Sequence, residues 1–177
     1  MGDLTIRDAE ARDARAIAAI QVKASRVAYA GIFSTAPSTM TVESRIPVWQ
    51  DFIAAAGSQQ RLLVAEQSAE TGICGYAHFG PTRDRDQSAS PVAELYSIYV
   101  TPERWRHGIG SGLLIQSTKL LGEAGFASCT LWVLAQNGNA RHFYERHGWQ
   151  PDGTERPVDG PILEVRYRKK GLLLARL

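Results

Sequence analysis

Cysteine and long hydrophobic runs are scarce in this sequence. Its 177 residues include two cysteines, Cys74 and Cys129, each inside an apolar run. Two such thiols are typical of reduced core cysteines, and they are too few for a zinc site without further ligands. No apolar run approaches the roughly 20 residues that a membrane-spanning helix needs, and the charges within residues 3–10 interrupt any signal-peptide core. We therefore expect a cytoplasmic protein with no membrane partner and no metal.

An excess of charge of one sign is also lacking. The 20 basic and 18 acidic residues give a net charge of +2, whereas a nucleic-acid-binding domain usually carries a clear basic excess. We therefore expect no nucleic-acid partner. The composition is that of an ordinary globular protein, with 44% hydrophobic and 21% charged residues. The length suits one domain with a substantial core.

Hydrophobic periodicity predicts strands and helices that alternate along the chain. Period-two or wholly apolar runs predict strands at 3–7, 61–67, 73–80, 92–100, 127–134 and 163–170, with a hairpin turn at 70–72. Spacing of three and four residues predicts helices at 11–29, 42–56, 110–125 and 139–148. No repeat or linker divides the chain, so we expect a single α/β domain over residues 1–177, built around one sheet.

Gly108 and Gly110 stand where an apolar strand gives way to a helix. Glycine is a poor helix former, so two glycines at a helix start indicate that a ligand comes close to the backbone there. The first-turn N–H groups and the helix dipole make such a turn an anion site. No Lys-Ser or Lys-Thr follows, which excludes a P-loop, and the spacing G-I-G-S-G differs from the G-x-G-x-x-G of a Rossmann fold. The remaining class of anion is the pyrophosphate of coenzyme A.

Two stretches resemble motifs of the GNAT superfamily of N-acetyltransferases. The stretch YVTPERWRHGIGSGLL resembles its acetyl-CoA-binding motif, with residues 105–110 in register, except that Trp105 stands where Gln or Arg is usual. The stretch LWVLAQNGNARHFYERHGW resembles a later motif, N-x-x-A-x-x-F-Y-E-x-x-G-F/W, at Asn137, Ala140, Phe143, Tyr144, Glu145, Gly148 and Trp149. The resemblance implies a GNAT-type fold: a mixed, mostly antiparallel sheet of about six to seven strands, splayed at strands 4 and 5 and flanked by about four helices.

The same resemblance implies which residues bind acetyl-CoA as co-substrate. The pyrophosphate is expected on the backbone of Arg106, His107, Gly108, Ile109, Gly110 and Ser111, with Trp105 packed under the turn. The pantetheine arm is expected along Ile98, Tyr99 and Val100, with Asn137 facing the same opening. The Val100 N–H would face the thioester oxygen and stabilise the developing oxyanion.

Two side chains are predicted to handle protons. A lysine-like amine is mostly protonated at neutral pH, so it must lose a proton before it attacks a thioester. Glu94 matches the position of the catalytic glutamate in the histone-acetylating branch of the family. It could equally be a strand-edge carboxylate or one that only attracts the ammonium. Tyr144 stands where the family places a general acid for the leaving thiolate, the alternative being a packed core tyrosine. His142 and His147 are read as surface residues.

The acceptor site is predicted around the first two helices, from Tyr29, Phe33, Trp49 and the loop at 81–91. The charges at 83–86 alternate in sign and indicate no charge preference for the substrate. A small-molecule primary amine (a polyamine, an amino acid or an antibiotic) is favoured over a peptide amine, as in protein N-terminal or lysine acetylation. A non-catalytic acyl-CoA sensor is the alternative from another class, and a homodimer is possible.

Overall fold

The computed structural model of the protein describes residues 4–33, 40–55, 59–67, 72–87 and 91–172, so most of the predicted turn at 70–72 lies outside the described residues. Seven strands are present: β1 Leu4–Asp8, β2 Arg61–Gln67, β3 Ile73–Pro81, β4 Val92–Val100, β5 Ser128–Leu134, β6 Gln150–Asp159 and β7 Ile162–Lys170. The α-helices within these ranges are α1 Ala14–Ala28, α2 Val42–Ala54, α3 Ile109–Glu123 and α4 Gly138–Arg146. None of the helices described is long and apolar enough to span a membrane.

The strands form one sheet in the order β1-β2-β3-β4-β5-β7-β6. Every neighbouring pair is antiparallel except β4 and β5. The predicted mixed, mostly antiparallel sheet with four helices is therefore confirmed. Sequence periodicity missed β6, because its sequence QPDGTERPVD contains prolines and a glycine and is almost wholly exposed. Such residues are tolerated there because β6 is an edge strand, where proline removes no ladder hydrogen bond on the open side.

Helices cover the sheet on both faces. On one face, residues of α1 and α2 such as Ile17 and Trp49 pack on Val64 and Tyr76 of β2 and β3. On the other face, α3 and α4 pack on a larger core, which also contains both cysteines. Cys74 and Cys129 are unpaired and 3% and 0% exposed. Burial raises the pKa of both thiols, so neither is poised to act as a thiolate.

Candidate active site

A gap opens in the centre of the sheet between β4 and β5. The two strands pair only at their beginnings, where Val92, Ala93 and Glu94 face Ser128, Cys129 and Thr130. Beyond that point β5 stays paired with β7 up to Leu134, while β4 stays paired with β3 up to Val100. One side of β4 from residue 95 onward therefore has no neighbouring strand, which is the predicted splay of strands 4 and 5.

Two residues of β4 turn their backbone polar groups into this gap. The Thr101 N–H donates to the Cys74 carbonyl at 2.8 Å, so Thr101 and Cys74 form a hydrogen-bonded pair of the β3–β4 ladder. Because hydrogen-bonded and non-bonded pairs alternate in an antiparallel ladder, Val100 and Ile98 belong to non-bonded pairs with β3. Their N–H and C=O groups point away from β3, whereas the backbone groups of Tyr99 are used by β3. Because the Val100 carbonyl accepts from the Trp105 indole, the Val100 N–H and both backbone groups of Ile98 are the ones available to an extended ligand.

The turn before α3 presents a run of unpaired backbone donors. The six N–H groups of residues 106–111 have no acceptor among the described residues. Arg106 and Gly108 both have left-handed backbones, with φ values of 64° and 80°, and successive N–H groups in such a turn converge on one concave side. No acidic residue lies in the first turn of α3. The turn is therefore a basic, donor-rich site for an anion.

Gly108 and Gly110 are glycines for different physical reasons. Gly108 adopts a left-handed conformation that favours glycine. Gly110 has no such φ, and a Cβ there would make only ordinary contacts, 3.5 Å from the Phe143 ring and 3.8 Å from Val100. Neither backbone geometry nor internal packing requires a glycine at position 110. A ligand held by the backbone of the turn is the remaining reason for a glycine there.

Two side chains brace the turn from either side. The Trp105 indole N–H donates to the Val100 carbonyl at 2.7 Å, and the ring is 39% exposed, so it does not pack under the turn as expected. On the α3 side, His147 Nε2 lies 3.0 Å from Ser111 Oγ, and His147 Nδ1 lies 2.8 Å from the Phe143 carbonyl oxygen. The prediction that His147 is a surface residue is therefore incomplete, since it is half-buried and joins α4 to α3. His142 is exposed, as expected.

Tyr144 reaches the gap from the α4 side. Its ring packs against Phe143, Trp149 and Tyr167, and the residue is 9% exposed. Burial raises the pKa of its phenol first, and Tyr29, on the opposite face of the sheet, raises it further. The hydroxyl has no hydrogen-bond partner among the described residues. It is thus a protonated donor that the fold leaves without an acceptor.

Tyrosine hydroxyls also converge from the α1 side. The Tyr29 and Tyr99 hydroxyls are 2.7 Å apart, and the Phe33 ring packs edge-on against Tyr29 at 6.0 Å. Burial raises the pKa of Tyr29, whereas the hydrogen bond with Tyr99 lowers it. The Glu164 carboxylate of β7 also raises it, but that carboxylate is paired with Arg156 at 2.7 Å. The structure thus brings Tyr29, Phe33 and Tyr99 together beside the gap.

Glu94 stands where the gap begins. It is 2% exposed and accepts hydrogen bonds from Arg83 on both oxygens: the Arg83 backbone N–H at 2.9 Å, Nε at 3.2 Å and Nη2 at 2.5 Å. The Arg83 guanidinium also lies 4.3 Å from the centre of the Tyr96 ring. No motif or spacing in the sequence indicated that this loop arginine would bind the predicted base.

The described part of the loop after β3, residues 82–87, is held by a buried arginine, whereas residues 88–90 of the predicted acceptor loop lie outside the described residues. Arg166 is 5% exposed, and its donors reach Asp84, Asp86, Asp152 and Thr154 at 2.8–3.1 Å. Asp84 also accepts from the Trp132 indole at 3.1 Å. Arg83, Asp84 and Asp86 therefore have charged partners within the protein, which explains why their alternating signs indicate no charge preference for the substrate.

Two other predicted residues have internal contacts of their own. Trp49 is 4% exposed, donates to Gln21 at 3.0 Å and packs on Tyr76, so it lies in the core under α2 rather than beside the gap. Asn137 caps α4, with Oδ1 accepting from the Ala140 N–H at 3.1 Å. Among the residues described, no three of His, Cys, Asp or Glu are grouped so as to hold a metal ion.

Known proteins share this motif set and this topology. The model of the acetyltransferase (GNAT) family matches residues 28–149. The uncharacterized N-acetyltransferase YuaI of Bacillus subtilis is 30% identical over 172 residues, which cover 96% of this chain and 91% of YuaI. A spermidine N(1)-acetyltransferase of Thermoplasma acidophilum is 34% identical over 77 residues, 42% of this chain and 45% of that protein. Among solved structures, the PaiA N-acetyltransferase of Thermoplasma acidophilum in complex with coenzyme A has a TM-score of 0.73 and 23% identity, over 95% of this chain and 99% of that one.

Proposed function

The chain belongs to the GNAT family of acetyltransferases, and we propose that it transfers acetyl from acetyl-CoA to a small primary amine by direct attack in a ternary complex. It is an acyltransferase that uses acetyl-CoA as co-substrate. The observation that carries the proposal is the position of the donor-rich turn at 106–111, at the end of the strand whose free edge borders the gap.

The coenzyme would be held mainly by backbone groups. Six unpaired N–H groups beside Arg104 and Arg106 suit a pyrophosphate, since each can donate to it without breaking a hydrogen bond within the protein. The gap-facing groups of Ile98 and Val100 suit the amides of the pantetheine arm as a pseudo-strand. The Val100 N–H is the proposed donor to the thioester oxygen, where negative charge develops on attack.

The proposed chemistry moves two protons. The attacking amine loses its proton to Glu94, directly or through water, and its nitrogen forms the new bond to the acetyl carbonyl carbon. The carbon–sulfur bond then breaks, and the departing thiolate takes a proton from the Tyr144 hydroxyl, whose raised pKa keeps it protonated. The second proton that the nitrogen loses on becoming an amide restores the Tyr144 phenol, and Glu94 releases its proton to solvent. Both cysteines are buried with raised thiol pKa values, which supports direct attack rather than a covalent enzyme intermediate.

The acceptor would enter on the α1 side of the gap, beside Tyr29, Phe33 and Tyr99. An amine suits this side, because the phenol oxygens of Tyr29 and Tyr99 can accept its hydrogen bonds. The partial match to a spermidine acetyltransferase supports a small polyamine-like substrate. Trp49 was also predicted for this site, but its burial in the core under the first two helices accounts for it without a role in substrate binding.

A panel of acceptors tests the proposal. Free thiol release from acetyl-CoA is followed with polyamines, amino acids, an aminoglycoside and lysine- or N-terminal-amine peptides. Turnover on a small amine above the hydrolysis rate supports the proposal, and turnover on peptides alone replaces it with protein acetylation. Tight binding of acetyl-CoA with no turnover on any amine would instead indicate an acyl-CoA sensor.

A further inference from the structure

The contact between His147 and Ser111 has a defined direction. A carbonyl oxygen can only accept, so the 2.8 Å contact between His147 Nδ1 and the Phe143 carbonyl places a hydrogen on Nδ1. In a neutral imidazole Nε2 is then an acceptor. The Ser111 hydroxyl, 3.0 Å from Nε2, must therefore donate to it. With His147 neutral, the Ser111 hydrogen points toward α4.

Ser111 also belongs to the donor-rich turn. Its own N–H is the last of the six unpaired groups at 106–111. A hydroxyl whose hydrogen is committed to His147 offers only lone pairs to an anion bound at the turn, and lone pairs repel phosphate oxygens. If His147 gains a proton, both its nitrogens donate, Ser111 Oγ becomes an acceptor for Nε2–H, and the serine hydrogen is free to turn toward the anion.

We propose that His147 takes up a proton from solvent when the pyrophosphate of the coenzyme binds, and that this converts Ser111 from a donor to His147 into a donor to the phosphate. The inference rests on the proposed function and adds to it a positioning residue that acts through Ser111. No covalent bond changes, and the proton comes from the buffer. Binding and protonation are reciprocally linked, so each favours the other.

The charged group that contacts residue His147 in the protein is a cation. From β7, the Lys169 ammonium donates to the His147 carbonyl oxygen at 2.6 Å, and its charge repels an imidazolium. From α4, the Phe143 ring lies 4.6 Å from the imidazole and carries no charge, while Glu145 and Arg146 are exposed neighbours of opposite sign. From α3, the contact is Ser111. A bound phosphate supplies the compensating negative charge.

Calorimetry in buffers of different ionisation enthalpy measures the proton directly. The probe is dephospho-coenzyme A, because the terminal phosphate monoester of coenzyme A itself titrates near pH 6. Histidines change charge between about pH 5 and pH 8. We therefore expect wild-type protein to take up a fraction of one proton at pH 7, and the dissociation constant to rise about tenfold between pH 6 and pH 8.

The variants assign the proton to one histidine. His147→Gln should abolish the uptake and flatten the pH dependence of binding, and Ser111→Ala should strongly reduce both. The matched control is His142→Gln, an exposed histidine on the same helix, which should behave as wild type, and His107→Gln in the turn should retain the uptake. Uptake that survives His147→Gln, or that disappears in His107→Gln, overturns the proposal.

Two further outcomes are distinguishable. If the wild-type protein binds neither acetyl-CoA nor dephospho-coenzyme A, the proposed function itself fails. If it binds with no proton uptake and no pH dependence, the proposed function stands and the role of His147 is overturned. Should His147→Gln not fold, the imidazole NMR shifts of His147 in wild-type protein provide the same test. They should move toward the charged form on addition of dephospho-coenzyme A at pH 7, and unchanged shifts contradict the proposal.

Discussion

Arg83 holds Glu94 by both carboxylate oxygens at the mouth of the gap, with the closest contact, Nη2 to Oε1, at 2.5 Å. The Arg83 side chain is 59% exposed, whereas that of Glu94 is 2% exposed. A proton from the acceptor amine must therefore compete with an arginine for the lone pairs of Glu94. The pair allows two roles for this carboxylate, proton acceptor or anchor of the loop, and these roles respond differently to substitution.

Glu94→Gln and Arg83→Gln together separate those roles. If Glu94 accepts the proton, Glu94→Gln should lower kcat by about 10²–10⁴, and the loss should shrink as the pH approaches the pKa of the amine. Arg83→Gln should cost much less in kcat, because it leaves the carboxylate in place. Equal kcat losses in the two variants, independent of pH, would mean that the ion pair only orders the loop.

Gly110→Asp tests the anion site at the turn. The new carboxylate would repel the pyrophosphate, and we expect acetyl-CoA to bind about a hundredfold more weakly. The melting temperature should hold or rise slightly, because an acidic residue in the first turn favours the helix dipole. Gly110→Ala is the matched control, since its Cβ meets only ordinary contacts in the protein. Near-wild-type affinity in a folded Gly110→Asp protein, measured by calorimetry, would remove the turn from the site.

Tyr144→Phe tests the proposed general acid. The ring and its packing remain and only the unpaired hydroxyl is lost, so kcat should fall about tenfold to a few hundredfold with little change in melting temperature. Tyr167→Phe is the contrasting control, because the Tyr167 hydroxyl donates to Glu145 and accepts from Arg141. That variant should lose about 1–3 kcal/mol of stability and keep its turnover. An unchanged kcat in Tyr144→Phe would show that Tyr144 is not the general acid.

We expect His78 to make the fold sensitive to acid. Burial, and secondarily the charge of Arg83, lowers the pKa of His78 to about 4. The unfolded chain, with an ordinary histidine pKa near 6.5, binds the proton more tightly. Stability present above pH 6.5 should therefore be lost as the pH falls toward 4, by at most about 3 kcal/mol. Denaturant unfolding at several pH values in this range gives the free energy of unfolding as a function of pH. His78→Gln should remove the fall in this free energy between pH 6.5 and pH 4, whereas the exposed His142→Gln should keep it. An unchanged slope in His78→Gln would contradict the assignment.

Local spacing in the sequence determined most of the fold and the position of the site. Within the described residues, helix and strand periodicities located the four α-helices and six of the seven strands, because each period reflects one face turned to a core. The glycine turn at 105–110 and the later motif at 137–149 identified the family, because a ligand held by backbone groups depends on short-range geometry. A sequence motif records such geometry directly.

Only the tertiary structure decided which side chains meet. Strict alternation along β4 would put Glu94 on the same face as Ile98 and Val100. The register instead slips by one residue at Tyr96, so Glu94 lies opposite Gly80 and Ile98 opposite Ala77, on different faces of the sheet. This bulge turns Glu94 toward the side that carries Tyr29 and Tyr99.

The sequence also did not reveal which distant residues pair with one another. Arg83 with Glu94, Ser111 with His147 and Arg166 with Asp84 are 11, 36 and 82 residues apart. Each pair depends on strand register and on how helices dock across the sheet, and neither leaves a periodic signal in the chain. The sequence by itself determined where the coenzyme would meet the backbone, and tertiary packing decided which side chains orient, neutralise and surround the reacting groups.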